Sequence, residues 1–439
     1  MNRLITFLLF LLGSLSQSMQ AQNDIINGVP WYDSEGNIIN SHGSGIIKDN
    51  GRYWLFGEYK SDTSNAFPGF GCYSSKDLVH WRFDRIVLPV QPDGLMGPNR
   101  VGERVKVLRC PKTGKYVMFM HSDDMKYNDP HTSIAIADSV NGDYRFLGPI
   151  AYKGNPIRKW DIGVFQDDDG MAYLLIDHGP IYRLSDDYLC AEYLLPNPPA
   201  GSGESPAMMK YHGIYYIMYS NLTSWERNDN YYYTASSIEG PWNKRGLFCP
   251  EGTLTYNSQC TYILPLTIGN DTTFMYMGDR WSYPHQASCA TQVWLPLTVE
   301  GTQLSIPEYW NMWNPRKVRA TAMKGKNVDI SFDSNVSGDS AILSFRGRQI
   351  VLYGHTDCHG GYAQLIIRNE KGGEVLSTLI DCYSLVADDG IRFVSPMLPK
   401  GRYTLTLRVS GEHPVWYSKA RNRFGSDDYF VHFSHAKIR

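Results

Sequence analysis

Gly51-Arg52-Tyr53-Trp54-Leu55-Phe56-Gly57-Glu58 returns along the chain in altered form. Its counterparts are Gly114-Lys115-Tyr116-Val117-Met118-Phe119-Met120-His121, Gly170-Met171-Ala172-Tyr173-Leu174-Leu175-Ile176-Asp177 and Gly213-Ile214-Tyr215-Tyr216-Ile217-Met218-Tyr219-Ser220. Thr272-Thr273-Phe274-Met275-Tyr276-Met277-Gly278-Asp279 is a degenerate fifth copy. Each copy runs through an apolar, aromatic strand and ends on a polar residue. The starts fall roughly 40 to 65 residues apart, the scale of a propeller blade.

A further strand follows several copies. Cys72–Trp81, Ile134–Asp138 and Tyr233–Ser237 are such segments, the last two leading into Gly142-Asp143-Tyr144 and Gly240-Pro241-Trp242. Strands joined by Gly, Asp and Asn turns fit four-stranded blades. The expectation is an all-β chain: a five-bladed β-propeller over residues 22–318, then a jelly-roll-type β-sandwich over 319–439. One large β-sandwich is the alternative, and the blade-scale repeat weighs against it. Beyond Trp310–Trp313 the strands shorten and alternate, as in Ala341–Phe345, Ile350–Gly354, Ala363–Ile367 and Tyr403–Val409, which suits a separate sandwich.

Composition narrows the function. The 439 residues hold 42 Lys+Arg against 44 Asp+Glu, a formal net charge of −2, so no nucleic-acid partner is expected. Hydrophobic residues make up 42%, enough for real cores. Tyr (30) and Trp (11) together outnumber Phe (17), and such rings suit sheet surfaces and sugar faces. Met1-Asn2-Arg3, apolar Leu4–Leu12 and Gln20-Ala21-Gln22 read as a signal peptide over residues 1–21. Export to a bacterial periplasm or the medium is expected, without membrane insertion and as a monomer. The eight cysteines contain no CxxC pair, so no zinc site is expected. Most are expected as buried thiols, with room for a bridge or two.

A propeller brings polar residues from distant blades into one central pocket. The repeated segments are read as the inner strands of the blades: Glu58 ends the first, Glu103, Asp161 and Glu204 stand just before the second, third and fourth, and the corresponding place in the fifth blade holds Gln259. Each acid alone reads as a surface residue beside a loop; the shared register argues otherwise. Glycoside hydrolysis needs one protonated carboxyl for the leaving oxygen and a second group for water. Crowded acids split their pKa values and keep one protonated near neutrality.

At these residues the chain resembles glycoside hydrolase family 43. The motifs are Trp160-Asp161-Ile162-Gly163-Val164-Phe165 running on to Tyr173, Gly203-Glu204-Ser205-Pro206-Ala207 and Tyr215–Ser220. The resemblance implies Glu204 as general acid, Asp161 as the residue that orients it, and inversion of the anomeric centre. Most of the family carry an Asp base at the start of the first blade; Ile39–Ile47 holds none. In this the chain resembles the exo-β-1,3-galactanase branch. Further matches are Gly57-Glu58-Tyr59-Lys60, Glu103-Arg104, Asn221–Trp225, Asn257–Thr261 and Gly278-Asp279-Arg280-Trp281. The branch implies a Gln, here Gln259, handling the attacking water as its imidic tautomer, with Glu103 the other candidate.

Substrate contacts are expected from Glu58, His42, Tyr127, Thr223, Trp225, Asp279, Arg280 and Trp281, on a poly- or oligosaccharide. Trp225, Trp281 and Tyr127 serve equally well as blade packing, His42 as a satisfied core histidine, and Arg280 as a partner of Asp279. No cofactor is required and no catalytic metal is expected; a structural calcium or sodium ion is compatible with the pocket. The C-terminal block either binds carbohydrate or braces the propeller. Other readings stay open: a carbohydrate-binding propeller without turnover, an adhesion scaffold, or a glycosidase for arabinose- or xylose-containing glycans.

Overall fold

A computed structural model describes residues 23–269 and 271–439. The signal peptide expected at 1–21 lies outside them. The architecture is all-β. Five sheets follow in sequence, each with the strand that opens its main run at one edge; the third also carries the short strands Ala151–Tyr152 and Asn155–Pro156 at its far side. Their first two strands are His42–Asp49 and Arg52–Glu58, Arg100–Arg109 and Tyr116–Asp124, Ile162–Gln166 and Ala172–Ile176, Glu204–Tyr211 and Ile214–Ser220, and Gln259–Ile268 and Asp271–Arg280. Neighbouring first strands touch in order, and Gln259–Ile268 returns to His42–Asp49.

The repeated aromatic segment is therefore the second strand of each sheet. This corrects the expectation that it lies innermost and that Glu58 ends an inner strand. The reason is burial on both faces. A second strand lies between two others and between two neighbouring sheets, so it reads as a near-continuous apolar run. Tyr216, Ile217, Met218 and Tyr219 are all fully buried. Alternate residues serve opposite neighbours. Phe56 packs with Met118 and Met120 of the second sheet, while adjacent Leu55 packs with Met275 and Trp294 of the fifth. Further clusters join sheets two and three, three and four, and four and five. Each buried Leu, Met or Phe contributes roughly 1.5–3 kcal/mol, so these strands dominate the stability of the block.

Ile25–Ile26 pairs antiparallel with Met312–Trp313 and ties the two ends of this block together. Two further four-stranded sheets follow. One orders Lys326–Ser334, Val431–Ile438, Ile350–Thr356 and Asp388–Val394; the other orders Ser340–Gly347, Gly401–Val409, Tyr362–Asn369 and Glu374–Asp381. One apolar cluster around Leu352, Leu365, Phe393, Leu405 and Phe433 lies between them. All eight cysteines are free thiols, six of them buried, so the expected bridge is absent among the described residues.

Candidate active site

At one end of the first block the strand registers bring polar residues face to face. His42 pairs with Glu58, Glu103 with His121, Glu204 with Ser220 and Gln259 with Asp279. In the third sheet the Asp177 N–H donates to the Asp161 carbonyl at 2.9 Å, which gives those two the equivalent place. The register then slips in each of the four paired sheets, between His42 and Gly45, Glu103 and Lys106, Glu204 and Ala207, and Cys260 and Tyr262. A bulge bends its strand and re-aims a side chain. Arg104 and Ser205 take left-handed φ values of 56° and 58° just after the acids, backbone strain of the kind that gathers at functional sites.

Arg104 is the hub. Its buried guanidinium donates to Gln259 Oε1 at 2.6 Å and pairs with Asp161 Oδ2 at 3.0 Å and Asp279 Oδ2 at 3.9 Å. Its backbone N–H donates to Glu58 Oε1 at 2.8 Å. Ser205 Oγ donates to Asp161 Oδ2 at 2.8 Å. Gln259 Nε2 donates to Glu204 Oε1 at 2.9 Å and to Ser220 Oγ at 2.8 Å. Burial, and after it the negative charge of Asp161, push the Glu204 carboxyl well above the ordinary range. Such a group keeps its proton at neutral pH and can give it up.

Glu103 has the opposite setting. Burial opposes its charge, but Lys60 and then His121 hold the carboxyl well below the ordinary range. Lys60 Nζ stands 3.3 Å away and His121 Nδ1 3.4 Å away, and the Tyr127 hydroxyl donates to Glu103 Oε1 at 2.8 Å. Lys60 also pairs with Glu58 Oε2 at 2.9 Å. One cluster thus holds a protonated carboxyl and an anionic one, the division that acid and base work requires.

Trp281 Nε1 donates to Gln259 Oε1 at 2.9 Å, and the Trp281 ring lies under the Arg104 guanidinium. Burial pushes Asp279 up to about 7, with Arg104 opposing. His42 is buried with neither ring nitrogen bonded to a protein atom, and burial pushes it down to about 3, so it is neutral. Trp225 stacks on Tyr283 with centroids 4.6 Å apart.

Two expected contacts are turned elsewhere. Arg280 points away from Asp279, because alternation along the strand sends them to opposite sides. It donates to the carbonyls of Asn257 and Tyr256 at 3.1 and 3.0 Å, where Thr255, Tyr256 and Asn257 all have positive φ. It braces that turn and does not pair with Asp279. The Thr223 hydroxyl donates to the Glu226 carbonyl at 2.6 Å and accepts from Asn228 at 2.7 Å, so it is spent inside its own loop.

The sequence reading quoted Arg104 and Lys60 only as members of matched motifs, without a role, and gave His121 none. His121 was within reach: it ends its repeat copy as Glu58, Asp177, Ser220 and Asp279 end theirs. Among the described residues, no three His, Cys, Asp or Glu side chains are gathered as metal ligands.

Comparison with known proteins bears on this cluster. Residues 45–194 match the model for glycosyl hydrolases family 43. A Bifidobacterium bifidum s17 protein assigned as an exo-β-1,3-galactanase is 37% identical, covering 64% of this chain and 95% of its own, with a TM-score of 0.59. An exo-β-1,3-galactanase of Phanerochaete chrysosporium, solved with galactose, is 25% identical over 94% of this chain and 99% of its own, at a TM-score of 0.68. A β-D-galactofuranosidase of Aspergillus niger is 27% identical over 256 residues, 53% of this chain and 68% of that protein.

Proposed function

Since the chain belongs to glycosyl hydrolase family 43 and is a glycosidase, we propose that it removes galactose from the ends of β-1,3-linked galactan or arabinogalactan side chains with inversion. Glu204 protonates the leaving oxygen. Asp161 orients Glu204 through Arg104 and Ser205 and keeps it protonated. Gln259, whose amide is fully engaged, holds the Glu204 carboxyl through Nε2. Glu103, anionic beside Lys60 and His121, is the acceptor for the water's proton. Trp281, Tyr127, Glu58 and Asp279 hold these groups and the sugar. Export rests on the leader-like residues 1–21. The five-bladed propeller and the accessory sandwich are the fold reading that fits the sheet order and the family.

The carrying observation is the raised Glu204 carboxyl beside the Asp161–Arg104 pair. The substrate follows the two galactanase relatives. The Aspergillus relative makes galactofuranosides the second reading. The test is sugar release from β-1,3-galactan, arabinogalactan, arabinan and a galactofuranoside by wild type and Glu204→Gln. Galactose released from the first two by wild type alone supports the reading. Release only from the galactofuranoside, or of arabinose or xylose, keeps the acid and replaces the substrate. Binding without release from any glycan replaces the enzyme with a binding protein.

A further inference from the structure

The second block reaches back over the acid cluster with a single hairpin. Its strands are Val415–Tyr417 and Arg423–Gly425. At its base the Val415 N–H donates to the Tyr283 carbonyl at 3.1 Å, and the buried Trp416 ring stands edge-on to Trp225 at 6.5 Å. At its tip Lys419 Nζ donates to the Tyr127 carbonyl and lies 5.2 Å from the centre of the Trp160 ring. These four partners sit on loops of the second, third, fourth and fifth sheets. All four loops are at the end where Glu103, Asp161, Glu204 and Gln259 converge. Trp160 precedes Asp161, and the hydroxyl of Tyr127 binds Glu103.

The hairpin is held firmly in this place. Tyr383 of the second block donates its hydroxyl to buried Glu226 of the first at 2.6 Å. The next residue, Arg227, donates to the Trp281 carbonyl at 3.0 Å. Breaking a buried link of this kind leaves a carboxylate oxygen without its donor, so the blocks are not loosely tethered.

We propose that this hairpin is part of the active site, with Lys419 and Trp160 contacting the sugar on the leaving-group side of the scissile bond. The leaving group departs beside its proton donor, and Trp160 is the exposed aromatic nearest in sequence to the Asp161 that serves Glu204. Trp160 is 37% exposed, and an indole offers an apolar surface to a sugar ring. An ammonium has three donors. Lys419 spends one on Tyr127 and keeps two for hydroxyls. A wall anchored on four loops also stops a polysaccharide from lying across the mouth, so only a chain end enters. The second block then sets specificity, beyond bracing the first. The inference rests on Glu204 being the acid.

The test compares kcat and KM for β-1,3-galactotriose, which has a sugar leaving group, with those for an aryl β-galactoside, which has none. Lys419→Ala and Trp160→Ala are each expected to lower kcat/KM for the triose at least tenfold more than for the aryl substrate, mostly through KM. Lys419→Arg should recover most of the loss. Replacing residues 418–422 by Gly-Gly should add oligosaccharides to the galactose released from long galactan. Equal losses on both substrates, or galactose as sole product from the shortened hairpin, overturn the inference alone. A wild type that leaves both substrates intact overturns the functional reading, and this inference with it.

Discussion

The side-chain amide of Gln259 faces the Glu204 carboxyl nitrogen-first, with Nε2 2.9 Å from Oε1. Its orientation follows from donor chemistry. Arg104 Nη2 and Trp281 Nε1 both point at the other end of the amide, and neither can accept a hydrogen bond. That end must be the oxygen. Two N–H donors on Oε1 leave no favourable place for the extra proton of an O-protonated imidic tautomer, so the resting state is the ordinary amide. The Glu204 oxygen that faces Gln259 is an acceptor, and the other one carries the proton. With both N–H groups given to Glu204 and Ser220 as well, the role expected of Gln259 shifts from handling the water to orienting the Glu204 carboxyl.

Glu204→Gln keeps the shape of the side chain and removes its proton. General acid catalysis contributes about 10²–10⁴-fold. Hydrolysis of the galactotriose should fall by that factor, with KM little changed, in a direct assay of galactose release. Substrates with very acidic leaving groups need less protonation, and an activated aryl galactoside should lose less.

The pH profile should respond in opposite directions to two charge changes around Glu204. Activity needs the protonated carboxyl and falls as pH rises through its raised pKa. Burial and the charge of Asp161 raise that pKa, while Arg104 lowers it. Asp161→Asn removes the raising charge, so the alkaline limb of kcat moves to lower pH and kcat at neutrality drops about 10²-fold. Arg104→Met removes the lowering charge, so the limb moves up in whatever protein folds. Limbs that do not move in the two variants would detach Glu204 from this pair.

Arg104→Met should also be among the most destabilising single changes. Asp161 and Asp279 pair with this buried cation, and the charge of Glu58 also favours it. Removing one partner of a buried pair costs about 3–5 kcal/mol, which urea unfolding can measure.

The parts of this site differed in how far the sequence disclosed them. The second strands were legible because burial on both faces writes itself as runs such as Tyr215–Tyr219. The first strands were not. Their exposure is mixed, and four of the five carry a bulge where their chemistry lies, which breaks the alternation a strand is recognised by. Hence Glu103 was noted as preceding a strand, although it lies inside Arg100–Arg109. Arg104 was quoted beside Glu103 but given no role, because an arginine beside an acid looks solvated; only the convergence of several sheets makes it a hub. Arg280 and Thr223 went the other way, their motif positions suggesting contacts that strand alternation and loop geometry spend elsewhere. The hairpin at Lys419 had no signal at all, since the carbonyl that Lys419 binds lies 292 residues away along the chain.

Tyr383→Phe should loosen the junction of the two blocks. It leaves Glu226 Oε2 without its 2.6 Å donor, and a buried acceptor left unpaired costs about 1–3 kcal/mol. The loss should show in thermal unfolding. Because Arg227 lies between Glu226 and the Trp281 carbonyl, kcat should also fall modestly, and Glu226→Gln should share that effect.

Stability should depend on pH through His121. Burial opposes its charge, yet Asp123 at 3.1 Å and Glu103 at 3.4 Å raise it from its ordinary 6.5 to about 9. The folded protein therefore holds this proton where the unfolded chain has lost it. The stabilisation is fully present below pH 6.5 and is lost as pH rises towards 9, each pH unit between the two values being worth about 1.4 kcal/mol. Lys106 works against it. Burial and the nearby Arg104 push Lys106 down to about 7, so the unfolded state holds more protons above that pH and stability gains there. The informative quantity is the difference between wild type and His121→Gln in urea unfolding free energy at pH 6 and pH 9. That difference should shrink as pH rises. A difference that stays constant would mean that His121 is neutral in the fold, and that Glu103 owes its low pKa to Lys60 and Tyr127.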